Sequence, residues 1–251
     1  MTASPHELHE PHQVDQGAAN LPAALLVLTA VTGLVDAVSV LGFGVFTANM
    51  TGNVVFLGFA VAGTRGFSIA RSVTSLAAFL AGAAIGGRIG VAMDATRRRW
   101  LLTVAVCEAT LLFVAALASI GLEIGRTMPP SRLSLVIVLL AVAMGLRNAT
   151  VRRLAVPDLT TTVLTLTLTG LAADSSLAGG ANPRIGRRAA SVLLMFAGAA
   201  IGSLLLRLGF ALPLVLSGVC VLAVTAIYLA IPASRPSGTP LGGKAEPVKE
   251  K

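Results

Sequence analysis

Residues 208–234 read LGFALPLVLSGVCVLAVTAIYLAIPAS, a run without one charged side chain. A bilayer's hydrocarbon core takes ~20 residues of helix to cross, and this run is long enough. Two further charge-free runs cover 37–64 and 189–206. Across the 251 residues, 55% are hydrophobic and only 12% charged, and the mean hydropathy is +0.85. A soluble domain keeps about a quarter of its residues charged to wet its surface. One such helix could hide in a soluble core, but several in so short a chain could not all be buried. The sequence therefore describes an all-α, polytopic transmembrane helix bundle.

The charge pattern agrees. The net charge is +8, which in a soluble protein would point to nucleic acid. Here the arginines gather at the ends of apolar runs, at Arg97–Arg99, at Arg152 and Arg153, and at Arg184, Arg187 and Arg188. That is the pattern of positive-inside loops. With one Trp, one Tyr and nine Phe, base stacking is poorly served, so the lipid bilayer and not nucleic acid is the expected partner. Cys107 and Cys220 lie deep in apolar runs, too few for a metal cage and ill placed for a disulfide. Residues 1–20 carry acidic side chains but no Lys or Arg, unlike a secretory leader. They read as a disordered cytoplasmic tail in which His6, His9 and His12 form no defined metal site. Residues 232–251, rich in Pro, Gly, Lys and Glu, read as a second disordered tail. The transmembrane domain is expected to fill 21–231.

Within it, apolar segments fall near 22–43, 45–63, 70–92, 101–122, 131–149, 157–173, 188–207 and 209–231. The second and sixth are unusually polar. The first carries Thr47, Asn49, Thr51 and Asn53; the other carries Asp158, Thr160, Thr161, Thr162, Thr165, Thr167 and Thr169. A repeat underlies the order. AGAAIG at 81–86 recurs at 197–202. Gly33-Leu34-Val35-Asp36-Ala37 matches Gly145-Leu146-Arg147-Asn148-Ala149. Asn49-Met50-Thr51-Gly52-Asn53-Val54 falls opposite Asp158-Leu159-Thr160-Thr161-Thr162-Val163, and Val106-Cys107 opposite Val219-Cys220. The matches are colinear, as a duplicated unit requires: repeat one spans 21–122 and repeat two 131–231.

If both polar segments cross, there are eight spans and the halves run parallel. If both are re-entrant or broken, there are six spans and the halves are inverted. Counting Lys and Arg by side separates the two. Eight spans put 11 basic residues on the side of the termini and 8 opposite; six spans put 14 and 5. The six-span arrangement, with both termini cytoplasmic in a bacterial inner membrane, is the expectation, and eight spans is the alternative.

With these motifs in view, the chain resembles the YoaK-type family of bacterial membrane proteins, a domain of unknown function. The resemblance rests on Gly33 to Ala37, on Phe46-Thr47-Ala48-Asn49-Met50-Thr51-Gly52-Asn53, and on Pro157-Asp158-Leu159-Thr160-Thr161-Thr162, and it covers most of residues 20–230. It implies a multi-spanning membrane protein and supplies no activity.

Ionisable groups inside a bilayer cost at least ~2.5–3.5 kcal/mol each, which makes them functional candidates. Asp36 lies well inside the first span, on a polar stripe with Thr29, Thr32, Gly33 and Ser39 at helical spacing. Asn148 takes its place in the second half. On the polar segments, Asn49 and Asn53 face Asp158 and Thr162 across the repeat, so carboxylate and amide are exchanged between halves. Candidates for a solute or proton pathway are Asp36, Asn49, Thr51, Asn53, Glu108, Arg147, Asn148, Asp158 and Thr162. Asp158, beside Pro157, reads equally as a helix cap. Glu108 could pair with Arg147 or Arg88, and Arg147 with an anionic solute, Asp36 or Asp158. Thr165, Thr167 and Thr169 read as helix packing. So do Gly82, Gly86, Gly198 and Gly202, whose four-residue spacing lets helices approach closely.

The spans hold no nucleophile–base pair, phosphate loop or metal cluster, so no enzyme and no cofactor is expected. Two readings remain. One is a small secondary transporter or permease for a polar or anionic solute, coupled to protons, with hydrogen-bonding groups on repeat-related segments near the midplane. The other is a non-transporting membrane scaffold or sensor whose polar residues only knit helices together. Solvent access to Asp36 separates them.

Overall fold

The structure, a computed structural model, describes residues 16–123, 129–156 and 164–230. Its α-helices are α1 (Gln16–Phe43), α2 (Met50–Val61), α3 (Ile69–Ala92), α4 (Arg97–Ser119), α5 (Pro130–Leu154), α6 (Leu164–Ala173), α7 (Ile185–Leu205) and α8 (Ala211–Ala230). A 3₁₀ turn, Ser176–Ala178, precedes α7, and no strand occurs among the described residues. α1 begins at Gln16, five residues before the boundary expected from sequence. The rest of both expected tails, and His6, His9 and His12, lie outside the described residues.

Six helices are long and apolar enough to cross a membrane: α1, α3, α4, α5, α7 and α8. α2 and α6 have 12 and 10 residues. At 1.5 Å per residue they reach about 18 and 15 Å, roughly half a hydrocarbon core. The eight-span alternative is thereby corrected. α2 is too short to cross by itself, and so is α6 over its described residues.

The two halves interlock. α1 packs along α7, and α5 packs along α3. The glycines are the reason. A Cβ on Gly33 would stand 2.8 Å from the backbone nitrogen of Ala199, and one on Gly145 would stand 2.7 Å from that of Ala83. Gly82 faces the backbone of Val142 as Gly198 faces that of Ala30. Gly86 and Gly202 meet Ala149 and Ala37 in the same manner. Each of these glycine contacts has its repeat-related partner on the other side. The recurring small residues thus bring two pairs of parallel backbones together, where lipid offers no hydrophobic drive and close packing supplies the attraction.

The halves run in opposite directions. Leu21 and Leu25, at the start of the α1 span, pack with Val151 and Leu154 at the end of α5 and with Tyr228 at the end of α8. Gly90, near the end of α3, lies against Arg153 and Trp100, the latter in the first turn of α4. At the opposite end the Phe43 ring of α1 stacks on Phe210, just before α8, with centroids 5.3 Å apart. There Arg132 of α5 also donates to the Ala118 and Ile120 carbonyls that end α4. The first three spans therefore alternate in the opposite sense to the last three. α2 hangs from the Phe43/Phe210 end and α6 from the other. Among the described residues, the end that gathers the start of α1 and the end of α8 carries Arg88, Arg97–Arg99, Arg152, Arg153, Arg184, Arg187 and Arg188. The opposite end carries Arg65, Arg71, Arg132 and Arg207.

Candidate functional site

On α1 the polar stripe resolves into two kinds of residue. Thr29 donates to the Leu25 carbonyl at 2.9 Å, Thr32 to Leu28 at 3.0 Å and Ser39 to Asp36 at 3.2 Å. These hydroxyls are satisfied within their own helix. Asp36 differs: the residue is 7% exposed, and its Oδ1 is buried with no hydrogen-bond partner among the described residues. Its carboxyl faces the backbone amides of Ala48 and Thr47 and feels the charge of Arg147. A buried acceptor left unpaired costs roughly 1–3 kcal/mol.

Asp36 opens onto a cavity of about 400 Å³, walled by Asn49, Thr51 and Val55 of the α2 region, Leu164 and Thr165 of α6, and Met195 of α7. Asn49 is the N-cap of α2, its side chain accepting from the Gly52 amide at 3.3 Å. The partly positive end of α2 therefore points into the cavity from mid-depth. Residues of both polar segments, Asn49 and Thr51 in one and Leu164 and Thr165 in the other, border the same space. Thr165, read from sequence as packing, stands on the cavity wall. Thr169 donates to the Thr165 carbonyl at 2.9 Å, and Thr167 is buried.

Asn53 does not face the cavity. It is fully buried: Oδ1 accepts from the Phe46 amide at 2.8 Å, while Nδ2 donates to the Phe46 carbonyl at 2.6 Å and to Ser75 Oγ at 3.1 Å. Ser75 of α3 donates to the same carbonyl at 2.6 Å. This knot satisfies the backbone of a broken segment that has no water around it and ties it to α3. Arg71 adds a bond to the Phe43 carbonyl at 3.1 Å. On the other half, Arg188 of α7 donates to the Gly170 carbonyl and to Asp174, both at 2.7 Å, and ties α6 down.

Glu108 of α4 and Arg147 of α5 form an ion pair with side chains 4% and 1% exposed. Nη1 of Arg147 also donates to the Leu28 carbonyl and to Thr32 Oγ1, both at 3.1 Å, while Nε has no partner among the described residues. So Glu108 takes Arg147 and not Arg88, and one arginine joins α4, α5 and α1. By the repeat, Arg147 corresponds to Val35 and Glu108 to Val221, which share one apolar cluster with both side chains buried. Both positions bridge the two halves, and where one holds the ion pair the repeat-related one holds two buried apolar side chains. Asn148, the counterpart of Asp36, donates to the Met144 carbonyl at 2.8 Å. Asp158 and Thr162 lie outside the described residues.

Periodicity on single helices could not have found Thr32 as the partner of Arg147, or Ser75 as the clamp for the broken segment. The one available signal for Ser75 is the repeat, which sets it opposite Ser191, itself buried.

Comparison with known proteins fits this architecture. A family model described as "Protein of unknown function (DUF1275)" matches residues 24–227. The chain is 35% identical over 159 residues to a UPF0700 transmembrane protein YoaK of Bacillus subtilis (strain 168), an alignment that covers 62% of this chain and 67% of that one. No solved structure matches.

Proposed function

This chain belongs to the family described as Protein of unknown function (DUF1275), and from that premise we propose that it is a small secondary transporter of a polar or anionic solute, coupled to protons. The observation that carries the proposal is the buried carboxylate residue Asp36 lining a cavity of about 400 Å³ that residues of both polar segments also wall. Transporters of inverted-repeat design bind their solutes at such segments near the midplane, with half-helix N-termini aimed at anionic groups. Asn49, Thr51 and Thr165 offer the hydrogen-bonding groups. Charge balance supports the coupling: with Asp36, Glu108 and Arg147 all ionised, the buried cluster carries a formal −1, and a proton on a carboxylate neutralises it. The same proton makes room for a solute anion beside the end of α2.

The concentration of arginines at the end shared by the start of α1 and the end of α8 supports a bacterial inner-membrane location with both termini cytoplasmic. Uptake by proteoliposomes across an imposed proton gradient tests the proposal. A panel of small polar and anionic solutes should contain at least one that accumulates only when the gradient is present. A folded protein that moves none of them would be a scaffold or sensor.

A further inference from the structure

Two cavities lie near Arg147. One is the space lined by Asp36, a helical turn along α1 from Thr32, which Arg147 bonds. The other is a second, mostly apolar cavity of about 60 Å³, with Leu21, Leu25 and Tyr228 toward the arginine-rich end and with Glu108 and Arg147 in its wall. The face of α1 shows the order: Leu21, Leu25 and Leu28 line this vestibule, Thr32 is bonded to Arg147, and Asp36 lies one turn beyond, on the other cavity. Along α1, Arg147 held on Glu108 occupies the level between these two sets of residues, bonded to the Leu28 carbonyl and to Thr32.

We propose that the Glu108–Arg147 ion pair is the gate between the Asp36 cavity and the arginine-rich face. This rests on the reading of the Asp36 cavity as a transport site. Asp36 feels the charge of Arg147, and the Nε of Arg147 is buried without a hydrogen-bond partner among the described residues. A solute or proton arriving at Asp36 changes the charge that Arg147 sees and so its hold on Glu108. An ion pair also opens differently from an apolar contact: once separated, both groups take up water, whereas an apolar constriction stays dry and shut. The repeat-related position shows the contrast, since Val35 and Val221 there are both buried in the apolar cluster. Only one of the two repeat-related positions is built to hydrate.

The test is side-specific labelling of Thr51→Cys, on the cavity wall, in protein lacking Cys107 and Cys220. A membrane-impermeant thiol reagent is applied to either face of oriented proteoliposomes. With the ion pair intact, the thiol should react from both faces as the protein alternates. With Glu108→Val and Arg147→Val together, which copy the residues of the repeat-related position, reaction from the arginine-rich face should be lost and that from the opposite face kept. Glu108→Gln, which keeps the side chain's size but weakens the hold on Arg147, should react several-fold faster from the arginine-rich face. Labelling from both faces in the double-valine protein, or an unchanged or slower rate in Glu108→Gln, overturns the gate and leaves the transport reading standing. Labelling from one face only while the ion pair is intact overturns both.

Discussion

The hydroxyl of Thr32 on α1 accepts a hydrogen bond at 3.1 Å from the guanidinium of Arg147 on α5. These two helices are the first spans of oppositely directed halves, so the bond crosses the pseudo-symmetry of the molecule at one place, a turn below Asp36. Its second-half counterpart would join Met144 to Val35, and no such bond can form. The fold is thus near-symmetric in its packing and asymmetric in its charge.

The inverted arrangement makes a topological prediction. Thr64, in the turn after α2, and Ser176, in the turn after α6, lie at opposite ends of the bundle. Single cysteines there, in protein lacking Cys107 and Cys220, should react with an impermeant thiol reagent from opposite sides, Thr64 from outside and Ser176 from the cytoplasm. Equal reaction from one side would restore eight spans and parallel halves.

The glycine contacts predict paired effects. Gly86 would place a Cβ 3.0 Å from the Ala149 Cβ, and Gly202 would place one 2.9 Å from the Ala37 Cβ. Gly86→Leu and Gly202→Leu should each lower the thermal midpoint of the purified protein, and by similar amounts, because each forces apart equivalent backbones that close packing holds together. A variant that unfolds at the unaltered temperature would mean the helices do not meet at that glycine.

The buried ion pair should behave as such pairs do when one partner is lost. Glu108→Val alone leaves Arg147 uncompensated and should cost about 3–5 kcal/mol, whereas Glu108→Val with Arg147→Val should be near neutral or stabilising. Chemical denaturation in detergent measures both. A double variant no more stable than the single one would show that the arginine and glutamate do not balance each other.

The Asn53 knot predicts local coupling. Asn53→Ala and Ser75→Ala each strand polar groups around the Phe46 peptide, at roughly 1–3 kcal/mol apiece, and the double variant should cost less than the two added together. Strict additivity would mean the two side chains hold separate parts of the segment.

Much of this architecture is legible in the sequence, and the limits have physical causes. Charge-free runs such as 208–234 mark spans because the cost of a charge in hydrocarbon is large and local. The AGAAIG repeat marks the helix contacts because only small residues permit them. Arginine asymmetry separates six spans from eight. The site is less legible, because hydropathy and helical spacing give a residue's face but not its depth or its partner. Asn53 shares a polar motif with Asn49, yet one turn of helix aims it at Ser75 and away from the cavity. Glu108 and Arg147, 39 residues apart in sequence, meet only through helix packing, which no local pattern encodes. Thr165 looked like its threonine neighbours and differs in what it faces.

In the proposed transporter, Asp36 takes up and releases a proton as solute moves through the cavity it borders. Asp36→Asn keeps the size and much of the hydrogen bonding of the side chain and removes the proton. Asp158→Asn in the same assay asks whether each half needs its carboxylate. The decisive measurement is the pH dependence of solute uptake by Asp36→Asn in proteoliposomes, once the solute screen has supplied a substrate. The account predicts a protein that folds as well as or better than the original and has lost all uptake driven by a proton gradient. Uptake with an unchanged dependence on pH would contradict it.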